Sequence, residues 1–514
     1  MQTDRIKNSF YNGASNIFVN ISSTIFSFIV RTFFIRILGE ECLGLDGLFT
    51  NILSLLSLAE LGFSTAISFS LYKPLANHDT SKITALMMYF KRIYYRIAFI
   101  VLTLGIILMV FLNSIIGNID INYNIYIIYI IYLISAVSSY FISYTSILIE
   151  ADQKNYLLTK IRFLFDLITY GMQLVVLLIF RDFILYILIQ FITRLIQRIV
   201  TNSFIVKKYN SIDFHCKSDI NQSEKKEIKK NIVGLVYHRV GDYAVNGTDN
   251  ILISTLVNIS TTGFYSNYLS ITSACKGILG CLTNAVTSSL GNLNATEGPK
   301  VKKNVFETIN FFNYFLAGVI TLGLFFCIDK FIVIWIGSKY VLPFACKLVI
   351  CINLYLYCIS LPIIAMKNSA GIYYIDRYIP IIQAIINLTV SIVLGIYFGL
   401  IGILLGTAIS SIFTVNSLKP IVIYKHVFKS NSLSYFKSLI LQVILVLSSG
   451  YLTYFLLEYI KLSSVLALII SGLVSVVLYT LLFIICFHNN KFFKYYKDLF
   501  LESLKKLTKR KRLS

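Results

Sequence analysis

Apolar runs longer than the ~18 residues that mark a membrane-spanning helix recur along the whole sequence, and they constrain the fold more than any other feature. Hydrophobic residues make up 57% of the 514 residues, and charged residues only 14%. This balance lies far outside the range of soluble globular domains. The sequence therefore predicts an all-α polytopic membrane protein.

Polar breaks between the apolar runs divide the sequence into about fourteen predicted spans, seven in each half. The spans fall near Ser15–Leu38, Leu43–Tyr72, Ile93–Gly117, Tyr123–Ile149, Ile161–Phe180, Asp182–Val206, Ile232–Val257, Thr262–Leu290, Phe306–Ile328, Val341–Met366, Ile372–Tyr397, Leu400–Tyr424, Leu433–Leu457 and Leu462–Phe487. The polar segments between them are too short and too charged to form a separate soluble domain.

The distribution of positive charge predicts the orientation of these spans. If the N-terminus is cytoplasmic, almost every Lys and Arg in the connecting segments lies inside, and the outer loops carry only Arg181, Lys330, Lys339 and Lys461. The positive-inside rule then places both termini in the cytoplasm. The abundance of Ile, Asn, Lys and Tyr is typical of an AT-rich bacterial genome, so we expect the chain in the cytoplasmic membrane of a bacterium. The net charge of +22 is spread over many short loops, so no nucleic-acid partner is expected.

Several classes of chemistry are not indicated. The nine cysteines show neither C-x-x-C spacing nor clustering with histidine, so we expect no metal site, and nothing implies a cofactor. No G-x-x-x-x-G-K-[ST] phosphate loop is present, so the driving force should come from a gradient or a partner. The outer loops are short and lack a recognisable catalytic constellation, so we do not expect an enzyme.

Two stretches of the sequence carry a family resemblance. Residues 38–49 read LGEECLGLDGLF, and residues 58–63 and 71–74 read LAELGF and LYKP. Residues 248–254 and 263–268 read TDNILIS and GFYSNY. These stretches resemble segments of the Wzx-type polysaccharide repeat-unit flippases, which belong to the multidrug/oligosaccharidyl-lipid/polysaccharide (MOP) exporter superfamily.

The resemblance implies a MATE-like fold, with two six-helix bundles around a central cavity and two further helices. On this reading residues 1–206 form the first bundle, 207–231 a basic cytoplasmic linker and 232–424 the second bundle. Residues 425–487 form the two additional spans, and 488–514 a basic cytoplasmic tail. Glycine turns after the first and seventh spans form a weak internal repeat, and repeat transporters place substrate at the repeat interface.

Ionisable groups inside spans cost several kcal/mol at mid-bilayer, so each is a functional hypothesis. Arg31, Glu60, Asp249 and Lys276 lie far from the predicted cytoplasmic ends. His238, Arg239 and Asp242 lie in the inner half of the seventh span. A functional role and simple hydration by a water-filled inward vestibule explain the presence of these charges equally well. Arg194 and Arg198 are also within a span. Arg36, Asp166 and Lys347 lie near predicted span ends, and we expect them to snorkel or pair locally.

The resemblance and these charges together predict a flippase for polyprenyl-pyrophosphate-linked oligosaccharides of the undecaprenyl type, in capsule, O-antigen or exopolysaccharide biosynthesis. Arg31, Lys276, Arg239 and His238 are the predicted substrate-binding residues, because a cationic cavity eases the passage of a pyrophosphate. Glu60, Asp249 and Asp242 are predicted to act in gating or ion coupling. Further expected partners are membrane lipid, a glycan polymerase, and Na⁺ or H⁺ as the coupling ion.

Three alternatives remain open. A flippase for lipid-linked peptidoglycan precursors would need the same cationic cavity. A drug or cation antiporter of this fold would have a cavity dominated by acidic residues. A membrane glycan polymerase or ligase belongs to a different class and usually requires a large outer loop for catalysis.

Matching depths in the two halves suggest how the transporter is gated. Arg31 and Asp249 lie at similar distances before their outer turns, and Glu60 and Lys276 at similar distances after them. We therefore expect Arg31 to pair with Asp249, and Glu60 with Lys276, when the outer gate is closed. Substrate phosphates would then separate the pairs by giving the cations a better partner.

Overall fold

A computed structural model describes residues 2–56, 70–72, 74–75, 77–116, 123–152, 154–214, 220–226, 228, 247–370, 372, 375–458 and 464–498. Within these ranges the regular secondary structure is helical, and no β-strand occurs. The predicted all-α class is therefore confirmed.

The main helices are numbered here in chain order. They are α1 (Gln2–Leu56), α2 (Thr80–Met109), α3 (Leu112–Ile116), α4 (Ile125–Ser143), α5 (Ser146–Ala151), α6 (Asn155–Ile179), α7 (Phe183–Lys208), α8 (Asp249–Leu256), α9 (Ile259–Thr296), α10 (Pro299–Trp335), α11 (Phe344–Ala370), α12 (Ile379–Phe398), α13 (Leu400–Phe413), α14 (Leu418–His426), α15 (Leu433–Glu458) and α16 (Ser464–Phe487).

Eleven helical segments of the described residues are long and apolar enough to cross a membrane. The second predicted span is continuous with the first in α1 and then runs into residues outside the described ranges. Most of the seventh also lies outside them, and the eighth corresponds to the 38-residue helix α9. The chain is a multi-pass membrane protein, and the figure of fourteen spans stays a prediction.

Side chains of the local sequence define where several helices begin. The first N–H groups of a helix have no partner within it and need an acceptor from outside. Asp79 accepts from the backbone N–H of Lys82 at 3.0 Å, and Asp182 accepts from that of Leu185 at 2.7 Å. Pro299 begins α10, where its missing N–H costs nothing.

The chain forms two compact units. The first comprises Met1–Cys281 and Tyr373–Thr414, and the second comprises Leu282–Ile372 and Val415–Ser514. Within the first unit α1 packs on α6, α4 packs on α2 and α7, and α12 packs on α13. Within the second unit α10 packs on α11 and α16. The division into bundles at residues 1–206 and 232–424 remains a prediction.

Many large apolar side chains are exposed. Val110 is 79% exposed, Tyr397 77% and Phe99 70%. In water such a surface would promote association, whereas hydrocarbon tails solvate it without penalty. Polar side chains such as Asn387 and Ser391 are instead buried among helices. This distribution fits a lipid-facing exterior.

In the first unit, the glycine turns of the two sequence repeats pack against each other. Gly39 has φ 85° and ψ −178°, so α1 consists of two helices that meet at this residue. A Cβ atom added at Gly263 would lie 2.6 Å from the carbonyl oxygen of Glu40, and one added at Gly44 would overlap the carbonyl oxygen of Ile259. Two backbones approach this closely only where the side chain is absent.

In the second unit, α16 lies against a glycine of α10. A Cβ atom at Gly318 would overlap the ring of Tyr479, and the Tyr479 hydroxyl donates to the carbonyl of Tyr314 at 3.3 Å. Lys347 of α11 forms an ion pair of 2.6 Å with Asp329 of α10. The predicted local pairing of Lys347 is thus confirmed.

Candidate functional site

Arg31 lies on the first part of α1 and contacts α9, which is more than 200 positions away in the sequence. Its Nε donates to Oδ1 of Asn267 at 3.0 Å, and its Nη2 donates to Oγ of Ser266 at 2.8 Å. Both partners are neutral, so they orient the guanidinium without cancelling its charge. Within the described part of the chain, Nη1 makes no hydrogen bond and is available to a ligand.

Asp46 faces Arg31 and was missed by the sequence analysis as a site residue. It accepts a hydrogen bond from the hydroxyl of Tyr132 on α4 and interacts electrostatically with Arg31. A signal was present in the sequence, because the carboxylate lies in the apolar run Leu43–Phe49. The cation Arg31 therefore has an anionic neighbour, Asp46. A phosphate that binds Arg31 would have to displace this carboxylate or bind in spite of its negative charge.

Arg31 and Asp46 line a cavity of about 140 Å³ inside the first unit. Tyr170 of α6, Tyr186 of α7, and Ser27 and Ser270 contribute further polar groups to its wall. The cavity can hold several water molecules or a small polar group. It is too small for an oligosaccharide, so any recognition here concerns a fragment such as a phosphate group.

A second polar cluster surrounds Asp249 at the start of α8. Asp249 is only 6% exposed, and its two carboxylate oxygens accept long bonds of 3.4 Å from the hydroxyl of Thr407. Nδ2 of Asn387 donates to the same hydroxyl at 3.1 Å, while Oδ1 of Asn387 is buried without a hydrogen bond. Lys276 interacts with Asp249 electrostatically. The cluster therefore contains acceptor oxygens that the protein itself does not fully use.

The structure gives the predicted gate residues other partners than those expected. Arg31 donates hydrogen bonds to Asn267 and Ser266 and interacts electrostatically with Asp46. Asp249 accepts a hydrogen bond from Thr407 and interacts electrostatically with Lys276. A contact between Arg31 and Asp249 does not occur among the described residues, because each is engaged by a nearer neighbour. Glu60, the predicted partner of Lys276, lies outside the described residues.

The remaining predicted site residues have less structural information. His238, Arg239 and Asp242 lie outside the described residues, so their roles stay predictions. Asp166, which we expected to pair locally, accepts from Nη1 of Arg194 at 2.6 Å and from the hydroxyl of Ser23 at 2.9 Å. The local pairing of Asp166 is confirmed.

Comparisons with known proteins agree on a family and a fold. The model of a family described as "Polysaccharide biosynthesis protein" matches residues 9–287. A search of curated proteins gave no match. Among solved structures, the chain is similar to the lipid II flippase MurJ in an inward closed conformation, with a TM-score of 0.69 and 15% identity over 92% of this chain and 99% of that one.

Two transporter structures show the same likeness. An inward-facing multidrug resistance transporter of the MATE family, in the MOP superfamily, gives a TM-score of 0.59 at 14% identity over 78% of this chain and 96% of that one. A Vibrio cholerae MATE transporter gives 0.58 at 12% identity over 84% and 98%. Identities this low concern the fold alone, and they confirm the predicted MATE-like fold. All three relatives in fold are membrane transporters.

Proposed function

This chain belongs to the polysaccharide biosynthesis protein family, and from that premise we propose that it is a flippase for polyprenyl-pyrophosphate-linked oligosaccharide repeat units. It carries them across the cytoplasmic membrane of a bacterium by alternating access, with both termini in the cytoplasm. The products feed capsule, O-antigen or exopolysaccharide assembly, with a glycan polymerase as the next partner.

The observation that supports this proposal most directly is the orientation of Arg31. A pyrophosphate must cross about 30 Å of hydrocarbon, and its loss of hydration is the main barrier. Arg31 is oriented by two neutral acceptors, and its Nη1 is available within a polar cavity. A guanidinium prepared in this way offers charge-assisted hydrogen bonds to phosphate oxygens at little cost in reorganisation.

Lys276 and Asp249 supply a mechanism for ion coupling. Na⁺ or H⁺ bound at the Asp249 cluster would use the carboxylate and the unsatisfied Oδ1 of Asn387. The bound cation would neutralise the charge of Asp249 in place of Lys276. The positive charge of Lys276 would then attract the substrate phosphates. Cation and substrate would thus bind together, which is the linkage that a coupled transporter requires.

The alternatives make different demands on the same residues. A peptidoglycan-precursor flippase shares the pyrophosphate chemistry, and MurJ shares the fold. The stretches at residues 38–49 and 248–254, which resemble Wzx-type flippases, favour the oligosaccharide substrate instead. An antiporter for organic cations would not benefit from a guanidinium with an available Nη1 in the cavity. His238, Arg239, Asp242 and Glu60 keep their proposed roles in substrate binding and gating.

Substitution of the two cations tests the function. In proteoliposomes that contain a fluorescent undecaprenyl-pyrophosphate oligosaccharide, Arg31→Ala and Lys276→Ala are each expected to slow flipping at least ~10-fold, the effect of losing one charge-assisted hydrogen bond. Arg31→Lys keeps the charge but loses the planar fork, so intermediate activity is expected. Accessibility of the fluorophore to an external quencher measures the rate.

The exposed residue Arg36 on the same helix provides the matched control, and Arg36→Ala should flip at the wild-type rate. If Arg36→Ala slowed flipping as much as Arg31→Ala does, the lower rate would be a general effect of removing positive charge. Full activity of Arg31→Ala with normal abundance would contradict the proposal. Faster flipping of lipid-linked peptidoglycan precursor than of oligosaccharide would assign the chain to the rival substrate.

A further inference from the structure

A cavity of about 280 Å³ in the second unit, which we call the mixed-charge cavity, lies where the ends of three helices meet. Asp329 and Lys330 line it from the last two turns of α10, which ends at Trp335. Lys347 lines it from the first turn of α11, and Glu458 from the last residue of α15. Four charged side chains therefore converge at the same end of these helices.

Two of the four charges pair with each other. Nζ of Lys347 lies 2.6 Å from Oδ2 of Asp329. The same ammonium group lies 4.8 Å from the ring centre of Phe325 and 5.2 Å from that of Phe344. These distances are typical of cation–π contacts. Lys347 is thus fixed in the wall of the mixed-charge cavity, and Asp329 compensates its charge.

The other two charges have no such partner. Lys330 is half-buried, and it forms no hydrogen bond or ion pair within the described part of the chain. The charge of Lys347 repels it. Glu458 is exposed, and among the described residues it has neither a hydrogen bond nor an ion pair. The mixed-charge cavity therefore presents one cation and one anion that the described protein groups do not pair.

Tyr454 adds an aromatic ring beside Glu458. The two residues are four positions apart on α15, so their side chains share one face of the helix, and both line the cavity. A carboxylate next to an aromatic ring suits an ammonium ligand, because it combines a charge-assisted hydrogen bond with a cation–π contact. Lys330 offers the complementary group, a compact positive charge for a phosphate.

The surface that continues from the cavity is apolar and suits lipid chains. Tyr451 and Leu447 follow Tyr454 toward the middle of α15 on the same helix face, and both are exposed. On α11, Leu348 lies one turn further into the helix than Phe344 and is also exposed. The ends of spanning helices lie at the depth of lipid headgroups. Lipid chains can thus contact this surface while the headgroup occupies the cavity.

We propose that the mixed-charge cavity binds the headgroup of a zwitterionic phospholipid with a primary ammonium group, as in phosphatidylethanolamine. The phosphate contacts Lys330, and the ammonium group contacts Glu458 and the ring of Tyr454. A net-neutral headgroup that carries both signs pairs the cation and the anion together, whereas an anionic headgroup would pair only the cation. In the predicted orientation the lipid belongs to the outer leaflet. The site is separate from the proposed function, because it holds a membrane lipid whatever substrate the protein carries.

Hydration at the membrane surface explains only part of this arrangement. Glu458 is exposed at a helix end and can reach water. Lys330 is instead half-buried beside a second cation, Lys347, and this position costs both hydration and electrostatic repulsion. A bound phosphate offsets that cost. A sugar, which aromatic side chains also bind, is neutral and would leave Lys330 and Glu458 without an ionic partner.

Lipid binding to the purified full-length protein, measured by native mass spectrometry, tests the site. The probes are phosphatidylethanolamine, phosphatidylglycerol and glucosyl diacylglycerol. We expect Glu458→Gln to weaken binding of phosphatidylethanolamine ~10-fold, the effect of one charge-assisted hydrogen bond, and to leave phosphatidylglycerol unchanged. Lys330→Gln should weaken binding of both phospholipids. Glu458→Lys reverses the charge and should make phosphatidylglycerol the preferred ligand.

Lys437→Gln and Glu297→Gln are the matched controls. Lys437 lies in the first turns of α15 and Glu297 directly before α10, so both are at the opposite ends of these helices, and both are exposed. These variants should bind all three lipids as the wild type does.

Each other outcome overturns the proposal. Unchanged binding of phosphatidylethanolamine by Glu458→Gln removes Glu458 from the site, and an equal loss in the controls shows a general charge effect. A loss confined to glucosyl diacylglycerol identifies a sugar site instead. If Lys330→Gln does not fold, the two variants of the exposed Glu458 still decide between the outcomes. Arg31→Ala should retain phosphatidylethanolamine binding while flipping slows, so failure of this proposal is distinguishable from failure of the proposed function.

Discussion

At the residue scale, neutral side chains orient the charged group of the site through hydrogen bonds. Ser266 and Asn267 direct the guanidinium of Arg31 without neutralising it. Asp46 and Tyr132 place a carboxylate opposite. An arginine with a carboxylate in direct contact would bind a phosphate weakly, because the ion pair would have to break first. Separating the two across a small polar cavity keeps the cation stable and usable.

The Asp249 cluster carries the first prediction at this scale. We expect Asp249→Asn to abolish stimulation of flipping by an imposed Na⁺ or H⁺ gradient, because a neutral amide cannot bind the coupling cation. A tenfold gradient represents about 1.4 kcal/mol and can stimulate the wild-type rate up to about tenfold. The measurement is the initial flipping rate in proteoliposomes with and without each gradient.

Asp182→Asn is the control for this experiment. Asp182 caps α7 by accepting from the backbone of Leu185, and asparagine caps helices equally well. This variant should respond to the gradient as wild type does. Full gradient dependence of Asp249→Asn would remove Asp249 from the coupling mechanism.

At the element scale, the paired glycine turns connect α1 with α9. We expect Gly263→Ala to lower the free energy of unfolding by about 1–3 kcal/mol, the usual cost of overpacking. The added Cβ would lie 2.6 Å from the rigid carbonyl oxygen of Glu40. Thermal unfolding of the detergent-purified protein, followed by its intrinsic fluorescence, would measure the change.

Gly171→Ala provides the matched control within a helix. A Cβ at Gly171 meets no atom within 4 Å, so alanine should raise stability by roughly 0.5–1 kcal/mol through its helix propensity. Both substitutions gain the same propensity, and their difference isolates the contact between the turns. Similar stability of the two variants would show that the turns separate at little cost.

At the scale of the whole molecule, the distribution of charge predicts the topology. Reporter fusions after Lys82, Lys225, Lys303 and Lys429 should report the cytoplasm. Fusions after Asn118, Ser260 and Lys461 should report the outside. The physical reason is the retention of Lys and Arg on the cytoplasmic face during insertion. Inverted signals at two of the seven positions would contradict the orientation.

The sequence alone determined the helical membrane architecture, because the length and hydropathy of a span are local properties. The hydrocarbon core of the bilayer selects apolar helices of spanning length whatever their tertiary contacts. It also marked Arg31 and Asp249 as residues of interest, since a charge inside a span is costly whatever its partner. The family resemblance supplied the MATE-like fold, which hydropathy could not distinguish from other helical bundles.

Only the tertiary structure decided which groups meet. Arg31 finds Asn267 at a separation of 236 positions, and Asp249 finds Thr407 at 158. Equal depth in two helices suggested a pair between Arg31 and Asp249, but depth fixes only one coordinate. The direction in which each helix face points is set by packing, through close approaches such as Gly263 against Glu40. Partners across the bundle therefore follow from contacts that no local pattern specifies.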